Sequence, residues 1–376
     1  MLSSQLGIRL LLWIGKDVPR PAPYEVMNAF RSLEVINDVS ETNDGFELTF
    51  ALGKDKQGDY SLLQSGALDP DSRVVIGVLL GAKLEPLIDG VIYNHQLSPG
   101  EQPGAATLTV SGRDVSVMLD LKEKDGMYEG QSDSTIVTNL LNEYAQFGID
   151  KSFFEITQTN ETPNADERIP RQHETDLRFI QRLARRNGFV FYIEPRSMGK
   201  NKAYWGPENR QGLPQLPLTH ELGPTSNVKS LRVTNDALAP IEINGRSFNA
   251  VEKQSNQISP PPSLRTSLSL SPGTARRTQR LRHTVVRGDN LASTRARAAV
   301  STATEPVRAE GELETVRYGN VLRPRRLVGV RGLSRSYDGD YFVRRVTHRI
   351  QRGVYTQSFS LTREGTGAQS SHLRLS

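Results

Sequence analysis

The side chains that most often perform chemistry in proteins are sparse or badly spaced in this sequence. It contains no cysteine, so it has no disulfide, thiolate metal site or cysteine nucleophile. No histidine stands at a metal-ligand spacing from another; the six are His95, His173, His220, His283, His348 and His372. There is no phosphate-binding Gly-x-x-x-x-Gly-Lys-Ser/Thr loop and no Gly-x-Ser-x-Gly nucleophile elbow, and the carboxylates are too numerous for one acid–base pair to stand out. The sequence therefore predicts no catalytic residue, no cofactor and no metal ion.

Arginine is the charged residue whose distribution is unusual. Residues 260–376 contain 21 arginines, no lysine and 8 acidic residues, whereas residues 1–259 contain 26 basic and 34 acidic residues. Such a basic segment can bind nucleic acid, an acidic protein, or the acidic part of a neighbouring copy. Few aromatic residues stand among the arginines to stack on bases, so an interaction with protein is favoured.

The stretch RQHETDLRFIQRLARRNGFVFYIEP, residues 171–195, predicts a short basic helix that runs directly into a strand. Thr175 is suited to cap the start of the helix, and Gly188 is suited to end it. The residues predicted to form its buried stripe are Leu177, Ile180, Leu183 and Ala184. A DNA-recognition helix normally packs within a helical bundle, whereas this helix precedes an apolar strand. We therefore interpret its arginines as a solvated face.

The elements around this unit are mostly strands. Residues 33–52 predict a hairpin with an Asn-Asp-Gly turn, and residues 134–149 carry apolar residues at helical spacing. Further strands are predicted at 72–81, 85–98, 105–114, from 226 onwards and across 314–364, with a Ser/Pro-rich loop at 255–277 and a helix at 289–304. His348, in one of these strands, is predicted to be structural. The pattern indicates an α+β fold made mainly of antiparallel β-strands.

One segment resembles part of a cell-wall-binding module. Residues 283–299, HTVVRGDNLASTRARAA, resemble the first strand and first helix of a LysM peptidoglycan-binding module. A complete module needs a second helix and a closing strand, and an arginine-rich stretch follows instead. The simpler interpretation is a strand, a turn and a helix inside a larger domain.

Five segments together resemble the late control protein D family of contractile phage tails, whose hub fold also occurs in type VI secretion spike proteins. The segments are LTVSGRDVSVMLD (108–120), GQSDSTIVTNLLNEYAQFGI (130–149), ETDLRFIQRLARRNGFVFYIE (174–194), NLASTRARAAV (290–300) and the closing strands at 319–364. Their order and spacing make the resemblance specific, and it covers roughly residues 30–364.

The resemblance implies a homotrimer in which each chain contributes two β-barrels similar to the tail-tube protein. Three chains would then present six similar positions to a hexameric tube. We expect a tube-like β-barrel 1 at 1–114, an α+β insertion domain at 115–225, a tube-like β-barrel 2 assembled from 226–255 and 308–365, a Ser/Pro/Arg-rich insertion at 256–307, and a flexible tail at 366–376.

The implied function is that of a non-enzymatic baseplate hub, which joins the inner tube to the spike and nucleates assembly. Expected partners are the spike protein, the inner tube protein and other baseplate proteins, without recognition of a nucleic acid sequence. The longest apolar run near the start, 10–14, is too short to span a bilayer, so we expect cytoplasmic assembly, followed by incorporation into a tail or injection particle. A peptidoglycan-binding or cell-wall-cleaving tail protein stays open as the alternative.

The candidate contacts between subunits are Arg323, Arg325 and Arg326. Acidic N-terminal and basic C-terminal regions could alternate around a ring, and this would favour head-to-tail pairing of the chains.

Overall fold

The computed structural model describes residues 7–16, 18–39, 44–100, 105–159, 169–249, 254–258, 262–281, 285–286 and 289–369. The strands are β1 Arg9–Gly15, β2 Arg20–Pro21, β3 Phe30–Asp38, β4 Gly45–Ala51, β5 Arg73–Leu80, β6 Lys83–Ser98, β7 Thr107–Asp114, β8 Glu123–Met127, β9 Ile149–Ile156, β10 Arg171–Thr175, β11 Val190–Ser197, β12 Lys200–Gly206, β13 Gln215–Thr219, β14 Val228–Asn235, β15 Ile241–Asn249, β16 Gln254–Ile258, β17 Ser269–Pro272, β18 Arg277–Arg280, β19 Val285–Val286, β20 Val307–Glu314, β21 Leu327–Arg331, β22 Gly339–Gln351, β23 Val354–Arg363 and β24 Gly365–Ala368. The α-helices are α1 Tyr24–Ala29, α2 Ser61–Gln64, α3 Asp133–Asn142, α4 Asp176–Asn187, α5 Asp289–Thr302 and α6 Thr315–Tyr318.

One large sheet connects the two ends of the chain. Its strand order is β14-β20-β23-β22-β3-β4-β7-β6-β5-β1-β2, and β13 joins it through β21, which pairs with β22. We call β1 to β7 the N-terminal half-sheet, and β13, β14 and β20 to β23 the C-terminal half-sheet. They meet where β3 pairs antiparallel with β22, with Asp38 opposite Arg345 and Ser32 opposite Gln351. The prediction of an α+β fold dominated by antiparallel strands is confirmed.

Each half-sheet buries an apolar core on one face, because side chains alternate between the two faces of every strand. In β4, for example, the buried residues are Phe46, Leu48 and Phe50. The core of the N-terminal half-sheet also includes Ile350 of β22 and Tyr355 of β23. The hairpin predicted at 33–52 is confirmed as β3 and β4, while its turn at 40–43 lies outside the described residues. The C-terminal half-sheet is centred on Val328, Tyr341 and Leu361.

A third core belongs to a middle domain formed by α3, α4 and β8 to β12. Its largest buried side chains include Phe179 of α4 and Trp205 of β12. Strand β11 pairs antiparallel with β12, and β12 pairs parallel with β9. The helix predicted over 134–149 is shorter, because α3 ends at Asn142 and a 3₁₀ turn, Ala145–Phe147, leads to Gly148.

Helix α4 follows the local prediction closely. The Thr175 hydroxyl accepts a hydrogen bond from the Arg178 amide, and Gly188 ends the helix at φ 70°, a backbone conformation that favours glycine. Ile180, Leu183 and Ala184 are buried as predicted. Leu177 is only partly buried, whereas Phe179, which was not predicted to be buried, lies in the core. The buried face of α4 is therefore wider than the predicted stripe.

Several strands lie in units other than those expected from the domain boundaries. Strand β13 falls within 115–225 but pairs with β21 of the C-terminal half-sheet. Strand β15 falls within 226–255 but pairs with β16, β18 and β19 in a separate small sheet. Strand β24, in the expected tail, pairs with β17. The remaining boundaries, and the closure of each half-sheet into a barrel, stay predictions. No helix in the described ranges has the length and apolarity to cross a membrane.

Candidate assembly site

The three candidate arginines lie on one rigid segment between α6 and β21, residues 322–326, which we call the arginine loop. The Arg323 amide donates to the Gln215 side chain at 2.8 Å, and the Arg325 amide donates to the Val343 carbonyl at 2.8 Å. Arg325 has a φ of 62°, a left-handed conformation that is costly for a residue with a Cβ. Such strain persists only where the surrounding contacts hold the backbone in place.

Arg325 joins all three cores. Its side chain is buried, its Nη2 donates to the Asp44 carboxylate at 2.7 Å and to the Asp38 carbonyl, and its guanidinium lies 4.2 Å from the centre of the Tyr192 ring. Burial alone would lower the pKa of this guanidinium, but the Asp44 carboxylate raises it above its ordinary value. Arg325 therefore stays charged and ties the N-terminal half-sheet, the C-terminal half-sheet and the middle domain together.

Arg323 forms a second link within the chain. It donates to the Glu85 carboxylate and to the Pro86 carbonyl, both in β6. Burial would raise the pKa of Glu85, but hydrogen bonding from Lys83 and the charge of Arg323 hold it below its usual range. The Glu85 carboxylate is therefore ionised and paired at neutral pH.

Arg326 differs from the other two because its side chain is exposed and forms no ion pair with any residue that the structure describes. The structure thus places Arg323 and Arg325 in contacts inside one chain. A contact with another subunit stays a prediction for all three residues, and Arg326 is the one with a guanidinium free to make it.

An open cleft of about 390 Å³, which we call the junction cleft, lies beside the arginine loop where the three cores meet. Its lining residues are Asn37, Lys83, Leu84, Glu85, Pro86, Leu87, Glu155, Glu194, Pro195, Arg196, Lys202, Arg323, Pro324, Arg325 and Arg326. Lys202 pairs with Glu194 at 2.7 Å and with Glu155 at 3.2 Å. Although burial raises the pKa of Glu194, the charge of Lys202 brings it below its ordinary value.

The complementary charges of the two ends of the chain neutralise each other across the seam between β3 and β22. Arg345 and Arg349 of β22 pair with Asp38 and Glu34 of β3, at 2.5 Å and 2.8 Å. Part of the basic charge of the C-terminal region is therefore neutralised within the chain. This arrangement was not predicted from the sequence, which placed the complementarity between subunits.

Two further polar clusters were missed by sequence reasoning. In the first, Arg73 and Asp89 form a buried two-bond pair, and Asn201 of the middle domain also donates to Asp89 at 2.9 Å. The sequence signal for this pair was the presence of Arg73 and Asp89 in the apolar strands β5 and β6, because a buried charge needs a partner of opposite charge.

The second cluster surrounds Glu208, whose carboxylate pairs with Arg210, Arg265 and Arg344 at 2.8 Å to 2.9 Å. Burial raises the pKa of Glu208, but these arginines lower it to about 2. Arg210 also pairs with Glu305 at 2.5 Å. Apart from Arg210, the partners lie more than 50 residues from Glu208 in the sequence, so no local pattern could reveal the whole cluster. It holds the Ser/Pro-rich segment against the C-terminal half-sheet.

The described residues contain no group of three or more His, Asp or Glu side chains that could hold a metal ion. His348 is fully buried and shares a 2.9 Å hydrogen bond with the Tyr355 hydroxyl. Burial lowers the pKa of His348 to about 3, so the ring is neutral and packs as part of the core. These contacts fit the structural role predicted for it.

Two half-sheets, joined edge to edge within one chain and linked by arginine pairs, form the framework of this molecule. A family model described as the phage tail baseplate hub (GPD) matches residues 70–354. The chain belongs to this family, and it is a structural component of a tail hub. No curated protein sequence matches the chain significantly.

Solved structures share this fold. The tail protein from Neisseria meningitidis MC58 superposes with a TM-score of 0.64 at 14% identity, over 96% of this chain and 97% of that chain. The 43 kDa tail protein of prophage MuSo2 from Shewanella oneidensis gives 0.63 at 14% identity, over 95% and 99%. The E. coli c3393 protein, a component of the type VI secretion system, gives 0.54 at 14% identity, over 92% and 77%.

Proposed function

We propose that this tail hub assembles as a homotrimer that joins an inner tube to a spike and starts the growth of the tube. The observation that carries the proposal is the pairing of β3 with β22. It places two half-sheets, each with its own core, side by side in one chain.

The proposal rests on symmetry. A spike with threefold symmetry and a tube with sixfold symmetry cannot contact each other through identical sites in every subunit. A chain that carries two similar β-units supplies six positions from three subunits, and head-to-tail contacts close into a ring when the rotation between chains is 120°. The seam between β3 and β22 would then set the angle between the two positions in each chain.

The proposed partners follow from this arrangement. The tube protein would dock on one side of the ring, the spike protein on the other, and further baseplate proteins around it. Assembly would take place in the cytoplasm before incorporation into the particle. Arg326 would contact another protein of the baseplate, because it is the arginine of the arginine loop that forms no ion pair within the described part of the chain.

The mass of the assembled protein tests the proposal. Native mass spectrometry of the full chain alone should give a species three times the 41.8 kDa monomer mass, and addition of a purified spike protein should give a heavier complex that contains this trimer. Addition of the trimer to soluble tube protein should shorten the lag before tubes appear in electron micrographs. A protein that stays monomeric with and without the spike would refute the trimer, and an unchanged lag would refute the nucleating role.

The LysM-like segment receives no support from the comparisons. Part of it, 283–284 and 287–288, lies outside the described residues. The rest includes β19, which pairs with β15, and most of α5, where the buried Ala298 packs against Gly188 of the middle domain. These contacts agree with a strand and a helix inside a larger domain.

A further inference from the structure

The junction cleft has more positive charge than its own carboxylates neutralise, and we propose that it binds an extended acidic peptide segment of a partner protein. The inference deepens the proposed function, because the partner would be a protein that docks on the hub. The segment of the partner that binds in the cleft would carry at least two carboxylates with apolar side chains between them.

The charges of the lining give the first argument. Six lining side chains are cationic and three are carboxylates. Glu85 forms ion pairs with Lys83 and Arg323. Lys202 forms ion pairs with both Glu155 and Glu194. Arg325 is neutralised from outside the lining by Asp44. This leaves two arginines, Arg196 and Arg326, that form no ion pair with any residue that the structure describes, although the charge of Arg326 also acts on Glu194.

The second argument is that the Arg326 backbone and the Arg196 guanidinium are both restrained. Arg326 is carried by the arginine loop, whose backbone is hydrogen-bonded on both sides to Val343. The Arg196 guanidinium lies 4.7 Å from the centre of the Phe153 ring, which restrains it. Restraining these two arginines before a ligand arrives reduces the conformational entropy that is lost on binding. In addition, the buried Nε of Arg325 has no hydrogen-bond partner among the described residues.

The neutral part of the lining favours a peptide over a nucleic acid. Leu84 is 42% exposed, and Pro195 and Pro324 line the cleft beside it, so apolar side chains of a peptide have a surface to contact. The lining residues in the described ranges include no aromatic side chain on which a base could stack.

Fluorescence anisotropy of a labelled (Glu-Leu)₄ peptide with the full-length protein tests the inference. We expect saturable binding that weakens as NaCl is raised, and little binding of (Gln-Leu)₄ or (Lys-Leu)₄ peptides. Arg326→Glu and Arg196→Glu should each weaken binding at least about fivefold, because each removes a charge-assisted contact and adds repulsion. Arg335→Glu, at an exposed arginine outside the cleft, serves as the matched control and should change the affinity less than twofold.

Three results would overturn the inference: no binding of the acidic peptide, equal binding to the cleft variants and the wild type, or tighter binding of a labelled DNA duplex that the cleft variants abolish. Circular dichroism spectra that match the wild type would establish that the variants are folded. The native mass of the wild-type protein is measured separately. A trimer that binds no acidic peptide refutes the cleft ligand alone, whereas a monomer that binds the peptide refutes the trimer alone.

Discussion

Asp38 and Arg345 face each other across the seam that joins the two half-sheets, with 2.5 Å between the carboxylate Oδ2 and the guanidinium Nε. The main-chain carbonyl of Asp38 also accepts a hydrogen bond from Arg325. One residue of β3 therefore binds two arginines of the C-terminal part of the chain. These two arginines differ in burial, and burial decides what each contact contributes to stability.

Loss of Arg325 should destabilise the protein far more than loss of Arg345. Arg325→Ala leaves the Asp44 carboxylate without its partner, and we expect a loss of about 3–5 kcal/mol in the free energy of unfolding. The Arg345 side chain is 48% exposed, and Arg345→Ala should cost at most about 1 kcal/mol. Urea unfolding followed by tryptophan fluorescence measures both. Equal losses for the two variants would contradict the assigned roles.

Stability should fall as the pH rises through the titration of Asp114. Burial, with a further contribution from the Asp44 carboxylate, raises the pKa of Asp114 from 3.8 to about 7. Because the folded state holds this proton more tightly than the unfolded state, the contribution of Asp114 to stability is greatest below about pH 4 and is lost as the pH approaches 7.

An asparagine at this position tests the effect, because it can still accept the hydrogen bond from the Ser116 amide that caps the following turn. Asp114→Asn should melt at a higher temperature than the wild type at pH 8, and the difference should shrink toward pH 4.5. Thermal melts at matched ionic strength measure this. A difference that stays constant across this range would show that Asp114 does not titrate there.

Gly188→Ala should disturb the contact between α4 and α5. A Cβ at this position would lie 2.8 Å from the Ala298 Cα, and the φ of 70° is itself unfavourable for alanine. Gly199→Ala is the matched control, since Gly199 has a φ of 75° but nothing within 4 Å of the added Cβ. We expect the control to lose about 1 kcal/mol of unfolding free energy and Gly188→Ala to lose at least about 2 kcal/mol. Similar losses would mean that α5 moves away without cost.

Charge reversal should separate the roles of two arginines in the arginine loop. Arg326→Glu should change neither the unfolding midpoint nor self-association, because the side chain is exposed and is assigned to a partner protein. A loss of about tenfold in self-association would instead place Arg326 at a subunit contact, as the sequence predicted. Arg323→Glu should lower the midpoint itself, because it places a second carboxylate beside Glu85. Sedimentation velocity and urea unfolding provide the two readouts. Unchanged sedimentation of Arg326→Glu would remove Arg326 from the list of subunit contacts.

The sequence by itself determined the local elements of this protein. The cap at Thr175, the end of α4 at Gly188, the hairpin of β3 and β4 and the mainly antiparallel fold all follow from spacings of a few residues, where neighbouring side chains act on the same turn or strand. The family resemblance also rested on such local segments, taken in order, and the family was confirmed.

Only the tertiary structure decided which distant residues meet. The pairing of β3 with β22 joins residues about 300 positions apart, and the same contact brings Arg345 to Asp38. A strand pattern specifies which face is buried but not which partner lies beside it. An arginine likewise has the same local signature whether it binds a neighbouring subunit, as we expected for Arg325, or a carboxylate in its own chain, as Arg325 does with Asp44. Pairings of this kind depend on the packing of whole domains, and no short stretch of sequence encodes them.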